Sequence, residues 1–215
     1  MALTGLFGGT FNPIHNGHLR AAEEVIKYFP LDRILFIPSY IPPHKDQKEV
    51  VPACHRWRMV EIACQGHQKF IPSDLEVKSP SPSYSILTLR KLKELFPDDT
   101  FWFIVGSDAF LEIETWKDYN QLLRECSFIV VTRPGSELEK LDKVIDKIKP
   151  ELLVEIDKRE KTEVKDDRPG LYLLEINALD ISSSEIRHRL RAGLPITGLV
   201  PPGVEDYIMK NRLYV

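Results

Sequence analysis

The chain has 215 residues, of which 43% are hydrophobic and 9% aromatic, enough for one buried core within the usual size of a single domain. Its 29 basic and 32 acidic residues leave a formal charge of -3, which excludes a chain-wide field attracting nucleic acid or an anionic membrane. Any anion that the protein binds must therefore be held by a local site.

Short β-branched or aromatic runs alternate with amphipathic stretches along the chain. Residues Leu3 to Phe7 predict a strand, His18 to Tyr28 a helix, and Ile34 to Ile37 a second strand. This order is that of a βαβ unit. A second round is predicted from a helix over Ala53 to Cys64, a strand near Phe70 and a helix over Ser85 to Leu95.

Two continuous apolar runs follow, Thr100 to Val105 and Phe128 to Val131, and both are typical of strands covered on both faces. Leu171 to Ile176 predicts a further strand. Residues 151–168 mix both charge signs densely, which favours a surface excursion over a disordered linker or a charged tail. One face of another helix is marked by Leu138, Leu141, Val144, Ile145 and Ile148.

This alternation predicts an α/β fold, a doubly wound (Rossmann-like) parallel sheet with flanking helices. We expect a single domain over residues 1–215, with a helical carboxyl-terminal portion from about Ser182. Sheets of this kind bind ligands beyond the carboxyl ends of their strands. The residues that follow strands are therefore the candidates for function.

The sequence also bears on the cellular compartment. No apolar run approaches the roughly 20 residues of a membrane helix, and the amino terminus lacks the features of a secretory signal. We expect a cytoplasmic protein without a membrane partner, and we interpret Cys54, Cys64 and Cys126 as reduced thiols. A zinc site formed by Cys54, His55, Cys64 and His67 is disfavoured, because their spacing matches no zinc pattern.

A glycine-rich turn comes directly after the first predicted strand, in the segment GGTFNPIHNGH from Gly8 to His18. Gly8 and Gly9 let the backbone approach a ligand, and the helix that follows offers unpaired N–H groups to an anion. His15 and His18 can each donate an N–H to a phosphate oxygen whose charge grows during transfer. The turn therefore predicts a phosphate site.

A second helix start carries similar chemistry near the carboxyl end, in the segment ISSSEIR from Ile181 to Arg187. Ser182 and Glu185 form a capping-box pattern, which by itself would be structural. Capping leaves Arg187 unexplained, and a guanidinium in the first turns of a helix suits a phosphate. We favour phosphate binding.

The first segment resembles the signature of the nucleotidyltransferase superfamily, and its H-x-G-H element is also similar to that of class I aminoacyl-tRNA synthetases. The second resembles the I-S-x-x-x-I-R element with which the superfamily holds the β- and γ-phosphates of ATP. Three further segments resemble the bacterial nicotinate-mononucleotide adenylyltransferases: YIPPHK from Tyr40 to Lys45, PSYS from Pro82 to Ser85, and GSD from Gly106 to Asp108 with Trp116.

This resemblance spans nearly the whole chain and implies a role for each matching position. It implies catalytic His15, His18, Lys45 and Arg187. The implied ATP site comprises Gly8, Gly9, Thr10, Phe11, His15, His18, Gly106, Asp108, Ile181, Ser182, Ser183, Ile186 and Arg187. The implied mononucleotide site comprises Lys45, Ser83, Tyr84, Ser85, Asp108, Trp116 and Arg133, with Trp116 stacked on the pyridine ring.

Three positions depart from the family pattern. Asn12 stands where Asp is common, and Ser85 and Ser184 stand where Thr is common. The two serines keep a hydroxyl. Asn12 loses a charge, which puts in doubt an ionic role for this position and leaves the reaction itself untouched.

The expected reaction is transfer of the adenylyl group of ATP to nicotinate mononucleotide, forming deamido-NAD and pyrophosphate. Mg²⁺ is expected to arrive with ATP, because nothing in the chain resembles a dedicated carboxylate cage. The expected partners are these two nucleotides and no nucleic acid. The sequence leaves open the oligomeric state, including a homo-oligomer, and the strictness of the preference for the acid over the amide.

Three alternatives remain. One is a nucleotidyltransferase with another acceptor, such as phosphopantetheine, glycerol phosphate or nicotinamide mononucleotide. A second is a non-catalytic nucleotide-binding regulator, which would not need His18, Lys45 and Arg187 together. A tRNA synthetase fragment is the least favoured, because the chain lacks a K-M-S-K-S segment and a basic surface signal.

Overall fold

Strands and helices alternate along most of the chain in a computed structural model that describes residues 1–41, 49–79, 82–133, 138–148, 153–155, 169–177 and 179–215. The strands are β1 (Leu3–Gly9), β2 (Arg33–Pro38), β3 (Phe70–Pro72), β4 (Thr100–Gly106), β5 (Ser127–Thr132), β6 (Leu153–Glu155) and β7 (Leu171–Glu175). The helices are α1 (Asn16–Tyr28), α2 (Ala53–Cys64), α3 (Ser85–Leu95), α4 (Ser107–Phe110), α5 (Tyr119–Glu125), α6 (Leu138–Ile148), α7 (Ser183–Arg191) and α8 (Pro202–Lys210), with a 3₁₀ helix at Ile113–Thr115.

The strands form a seven-stranded sheet in the order β3-β2-β1-β4-β5-β7-β6. The pairs β1/β4, β4/β5, β5/β7 and β6/β7 are all parallel, with Leu6 opposite Phe103 and Phe103 opposite Phe128. The chain moves outward from β1 to β3 and then returns to the other side of β1 with β4, which is the order of a doubly wound sheet. The predicted fold class, a Rossmann-like parallel sheet with flanking helices, is confirmed.

The chain divides into two units, each built from several stretches of sequence. The first unit contains residues 1–8, 21–34 and 84–178, and the second contains residues 9–20, 35–83 and 179–215. The expectation of a single domain over the whole chain stays a prediction.

The first unit has an aromatic core around its central strands. Trp102 on β4 stacks on Tyr172 of β7, with ring centroids 4.5 Å apart, and Phe103 stacks on Phe128 at 5.3 Å. Gly5 on β1 leaves room for the side chain of Ile104, because a Cβ at that position would lie 2.8 Å from it. The strands β4 and β5 are buried on both faces and are therefore continuously apolar, which made them recognisable in the sequence.

The second unit is organised by α2. Its buried face consists of Arg56, Met59, Val60, Ala63 and Cys64, which recur at helical spacing. This helix packs against β3 and α8, where Gly203 allows an approach that a Cβ would obstruct at 2.8 Å from Ile62. The charged member of an otherwise apolar face, Arg56, is therefore placed in the interior.

The predicted strands and helices are confirmed within a few residues at their ends, but the sequence reading missed several short elements. These are α4, the 3₁₀ helix, α5 and β6. The strand β6 corrects the interpretation of residues 151–168 as a surface excursion, because residues 153–155 pair with β7 in the sheet. The neighbouring residues 156–168 lie outside the described part of the chain, so the remainder of that interpretation stays a prediction.

Candidate active site

The glycine-rich turn after β1 has an unusual backbone. Phe11 adopts φ 47°, a left-handed conformation that costs an aromatic residue about 1–3 kcal/mol and often accompanies function. Its side chain is buried, and the Asn12–Pro13 peptide bond that follows is cis. The predicted ATP-binding residues Gly9, Thr10 and Phe11 therefore belong to one tightly constrained turn of the second unit.

The two histidines of the H-x-G-H segment are in direct contact. The rings of His15 and His18 stack with centroids 3.7 Å apart, and Phe11 meets His18 edge-on at 5.1 Å. Gly17 makes the stack compatible with the turn, since a Cβ there would lie 3.0 Å from Nδ1 of His15. Glycine between the histidines therefore avoids a tight contact with the ring of His15.

The hydrogen bonding of His18 indicates its tautomer. The main-chain N–H of His15 donates to Nδ1 of His18 over 3.2 Å. A ring nitrogen that accepts must be unprotonated, so a neutral His18 carries its proton on Nε2 and can donate from that atom. His15 is buried and His18 is half-buried, which leaves His18 the more accessible of the two to a ligand.

The start of α7 is tied to the same turn. Ser182 caps the helix by accepting a hydrogen bond from the N–H of Glu185 over 3.1 Å. The hydroxyl of Ser183 donates to the carbonyl of Pro13 over 2.9 Å, and Nη1 of Arg187 donates to the carbonyl of Asn12 over 3.0 Å. The two segments singled out in the sequence therefore lie side by side.

Two isoleucines of the second segment have a structural role. Ile181 and Ile186 are buried in the core of the second unit, with exposures of 8% and 0%. Their side chains hold the start of α7 in place. Any contact that these predicted ATP-binding residues make with a ligand would come from their main chain.

The sequence reading missed Arg56, which is 1% exposed and is the largest fully buried side chain of the described residues. Its guanidinium donates to the carbonyls of Thr10 at 2.8 Å, Tyr40 at 3.0 Å and Val51 at 3.0 Å. Burial lowers the pKa of Arg56 below its ordinary value. The signal available in the sequence was a single arginine on an otherwise apolar helix face.

Asn12 and Glu49 form a second feature that the sequence reading did not find. Asn12 Nδ2 donates to the carbonyl of Glu49 over 2.9 Å, and Oδ1 accepts from the N–H of Val51 over 3.2 Å. The Glu49 carboxylate lies 3.5 Å from Nη2 of Arg187. Asn12 therefore uses both ends of its amide to hold residues 49–51 beside the start of α7.

In the first unit, the predicted nucleotide-binding residues lie at the carboxyl ends of neighbouring parallel strands. Gly8 comes near the end of β1, Gly106 ends β4 with Asp108 in the first turn of α4, and Arg133 follows β5. Gly8, Gly106, Asp108 and Arg133 are all exposed. This edge is where doubly wound sheets bind their ligands.

The predicted pyridine-binding residues of the first unit flank two short elements. Tyr84 precedes α3, Ser85 begins it, and Trp116 directly follows the 3₁₀ helix. All three are half-buried, and the ammonium of Lys117 lies 4.9 Å from the ring centroid of Tyr84. In the second unit, the Ser83 hydroxyl accepts from the N–H of Tyr40 over 2.9 Å.

Lys45, predicted to be catalytic, lies outside the described residues. Its role therefore stays a prediction from the resemblance. Arg56 donates hydrogen bonds to the carbonyls of Tyr40 and Val51, which come before and after the segment that contains Lys45.

Comparison with known proteins agrees with this geometry. A model of the cytidylyltransferase-like family matches residues 6–189. A probable nicotinate-nucleotide adenylyltransferase of Geobacter sulfurreducens is 43% identical over 98% of this chain and 97% of that protein. The chain belongs to the nicotinate-nucleotide adenylyltransferase family. Probable members from Pelobacter propionicus and Symbiobacterium thermophilum are 44% and 38% identical, over 98% and 100% of this chain and 97% and 96% of theirs.

Solved structures support the fold of this family member. The Plasmodium falciparum nicotinic acid mononucleotide adenylyltransferase complexed with APC matches with a TM-score of 0.75 and 24% identity, over 100% of this chain and 98% of that one. The same enzyme complexed with NaAD matches with a TM-score of 0.73. At this identity the likeness establishes the fold alone.

The described residues of this family member also bear on metals and membranes. Among them, no group of three or more His, Cys, Asp or Glu side chains is arranged to hold a metal ion. All three cysteines are free thiols, with Cys54 exposed and Cys64 and Cys126 buried. None of the described helices has the length and apolar character needed to cross a bilayer.

Proposed function

We propose that this protein transfers the adenylyl group of ATP to nicotinate mononucleotide, releasing pyrophosphate and forming deamido-NAD, a step of NAD synthesis. The observation that carries the proposal is the hydrogen bonding between the histidine turn and the start of α7. Through it, Pro13 and Asn12 of the turn meet Ser183 and Arg187 of the helix. The family relationship supplies the identity of the acceptor.

The nucleophile in this reaction is a phosphate oxygen of the mononucleotide, which attacks the α-phosphorus of ATP in line. The P–O bond to the β-phosphate breaks, and its electrons leave with pyrophosphate. A phosphate monoester has a second pKa of about 6 and is largely ionised near neutral pH, so no general base is needed. The protein must supply positioning and charge neutralisation.

His15 and His18 are placed to stabilise charge on the reacting phosphates. Because Nδ1 accepts from the backbone, a neutral His18 carries its proton on Nε2, the nitrogen that would donate to a phosphate oxygen. Stacking against His15 restrains the orientation of the His18 ring, so that little reorganisation is needed when charge develops. The turn that contains Phe11 and both rings is bound to the start of α7 by the hydrogen bond from Ser183 to the carbonyl of Pro13.

The start of α7 and Arg187 would hold the phosphates that leave. The first N–H groups of a helix carry partial positive charge, and a guanidinium adds a full one. Nε of Arg187 is buried and has no hydrogen-bond partner among the residues that the structure describes, which leaves capacity for an acceptor. Ser182 and Ser183 fix the helix start that presents these groups.

The mononucleotide would contact the residues that the family resemblance assigns to it. Trp116 stacks on the electron-poor pyridine ring, and Tyr84 and Ser85 of the same unit line its pocket. Asp108 accepts from ribose hydroxyls, and Arg133 contributes from the end of its strand, whereas Gly8 and Gly106 are assigned to ATP. Lys45 contacts substrate phosphate. These assignments follow the resemblance of the matching segments.

Mg²⁺ is expected to accompany ATP and neutralise phosphate charge during transfer. This cation commonly keeps several waters and binds through substrate phosphates with few protein ligands. We place the reaction in the cytoplasm, a reducing compartment in which the free thiols persist.

The proposal is tested by incubating the protein with ATP, Mg²⁺ and nicotinate mononucleotide and identifying the products by mass spectrometry. Deamido-NAD and pyrophosphate in equal amounts are expected. Binding of ATP without either product would instead indicate a nucleotide-binding regulator and overturn the proposed reaction.

A further inference from the structure

The guanidinium of Arg187 is already engaged by a carboxylate of the same chain. Oε2 of Glu49 lies 3.5 Å from Nη2 of Arg187, and the exposed fractions of the two side chains are 57% and 11%. Nη1 is occupied by the carbonyl of Asn12, and Nη2 also lies 3.4 Å from the hydroxyl of Ser184. Glu49 is the anionic contact of a guanidinium that is otherwise bound to neutral oxygens.

Glu49 is held in this place by its main chain. Its carbonyl accepts from Asn12 Nδ2 over 2.9 Å, and the N–H of Val51 donates to Asn12 Oδ1 over 3.2 Å. A carboxylate at position 12 could accept the second bond but could not donate the first. The amide of Asn12 therefore makes two hydrogen bonds to residues 49–51, and an ionised aspartate could not make both.

Asn12 also contacts Arg187 directly through its carbonyl, which completes a closed set of contacts among three residues. Arg187 is bound to Asn12, Asn12 to Glu49, and Glu49 to Arg187. The carboxylate thus occupies a nitrogen of the same guanidinium that, in the proposed function, receives a phosphate of ATP.

We propose that Glu49 is a positioning residue that occupies Arg187 while the phosphate site is empty and is displaced when ATP or pyrophosphate binds. This inference rests on the proposed role of Arg187 in phosphate binding. A phosphate that binds the guanidinium in a bidentate contact through Nε and Nη2 needs the Nη2 donor that Glu49 occupies, so the two anions compete for that nitrogen. Glu49 therefore holds Arg187 in its binding position and weakens the affinity for pyrophosphate, which favours release of this product.

The size of the effect follows from exposure. An ion pair with a largely exposed carboxylate contributes at most about 1 kcal/mol, which corresponds to a change in a dissociation constant of up to roughly five-fold. Removing the charge of Glu49 should tighten pyrophosphate binding by that factor. If Glu49 served only to brace Arg187 structurally, its removal would loosen the guanidinium and weaken binding, so the sign of the change separates the two roles.

The test compares the wild type with Glu49→Gln, which keeps the shape and the main-chain bond to Asn12. Pyrophosphate binding in the presence of Mg²⁺ is measured by calorimetry, together with the KM for ATP, the KM for nicotinate mononucleotide and kcat. The matched control is Glu61→Gln, because Glu61 pairs with Arg58 at 3.2 Å on exposed α2 surface. A second variant, Glu49→Ala, removes the side-chain acceptor altogether.

The expected result is a Kd for pyrophosphate and a KM for ATP that are both lowered, by up to about five-fold, in the two Glu49 variants. The KM for nicotinate mononucleotide should stay at the wild-type value, and Glu61→Gln should match the wild type throughout. An unchanged or raised Kd in Glu49→Gln overturns the inference. A wild type that binds pyrophosphate but forms no dinucleotide overturns the proposed function, while the Kd comparison still decides the role of Glu49.

Discussion

Arg56 donates a hydrogen bond to the carbonyl of Thr10 over 2.8 Å, which joins the buried face of α2 to the glycine-rich turn. The same guanidinium binds Tyr40 and Val51, the described residues that flank the segment carrying Lys45. Three carbonyls thus converge on one buried cation. The turn that carries both histidines is therefore bound by a residue outside the segments singled out in the sequence.

Replacing Arg56 by Met should destabilise the protein strongly. Leaving a buried acceptor without its donor costs about 1–3 kcal/mol, so losing the bonds to Thr10, Tyr40 and Val51 should lower the free energy of unfolding by about 3 kcal/mol or more. Urea denaturation measures the change. Arg58→Met is the control, because Arg58 is exposed and pairs with Glu61 on the helix surface. Equal loss in both variants would contradict the proposed anchoring.

The long strands and helices of the fold could be predicted from the sequence because their hydrophobic patterns are local. The continuous apolar runs of β4 and β5 and the helical spacing of α3 each identify their element without knowledge of its neighbours. The short elements α4 and α5 escaped prediction because a few residues do not establish a period. The strand β6 lies in a charged segment and is recognisable only from its pairing with β7.

The motif residues of the candidate site could be predicted, whereas their supports could not. His15, His18 and Arg187 stand in recognisable patterns that identify them as candidates. Arg56 and Glu49 act through contacts with Thr10 and Arg187 that are distant along the chain, and one sequence carries no record of such pairs. The contacts of Arg56 with Thr10 and of Glu49 with Arg187 are visible only in the structure.

Replacing His18 by Ala should abolish most turnover while leaving the fold intact. Removing one donor to developing charge typically lowers kcat by about 100- to 1,000-fold. The half-buried ring of His18 stacks on His15 and touches Phe11, so a modest loss of stability is also expected. Steady-state kinetics and thermal unfolding separate these effects. The control is His67→Ala, which removes a ring stacked on Phe70 in the same unit; near-normal turnover in His18→Ala would exclude His18 from catalysis.

Replacing Trp116 by Ala should affect the mononucleotide and leave ATP largely unaffected. Stacking of a base on an aromatic side chain is worth about 1–3 kcal/mol, so the KM for nicotinate mononucleotide should rise by about ten-fold or more. The control is Trp57→Ala, since Trp57 is another half-buried tryptophan and lies on α2. If Trp116→Ala instead raised only the KM for ATP, the assignment of Trp116 to the pyridine ring would be wrong.

Asp99 should make stability depend on acid pH. Burial alone would raise its pKa, but the N–H of Ala2 and the Arg33 guanidinium, which donates over 2.6 Å, outweigh burial and lower the pKa below its ordinary value. A carboxyl with a lowered folded-state pKa stabilises the protein above its unfolded pKa of about 3.9, and this stabilisation disappears as pH falls through the folded-state pKa.

The measurement is urea unfolding of the wild type and Asp99→Asn from neutral pH down to about pH 2. The wild type should be the more stable at neutral pH, and the difference should shrink as the solution is acidified below about pH 4. The neighbouring exposed Asp98 provides the control variant, Asp98→Asn. A difference that does not vary with pH would contradict the role given to Asp99.

The three cysteines should differ in reactivity. Burial raises the pKa of Cys64 and of Cys126 to about 12, which suppresses the thiolate near neutral pH, whereas Cys54 is exposed. Titration of the native protein with a disulfide reagent such as Ellman's should therefore modify Cys54 rapidly, and all three thiols should react in denaturant. Rapid modification of Cys64 or Cys126 in the native protein would contradict the buried position of that thiol.

Adenylyl transfer to nicotinate mononucleotide is tested most directly by measuring pyrophosphate release from ATP and Mg²⁺. The acceptors compared, at equal concentrations, are nicotinate mononucleotide, nicotinamide mononucleotide and phosphopantetheine. We expect rapid release with nicotinate mononucleotide, slower release with its amide and none with phosphopantetheine. Equal rates with the acid and the amide would leave adenylyl transfer standing and contradict the assigned acceptor. Release with phosphopantetheine alone, or with none of the three, would contradict the account of the site.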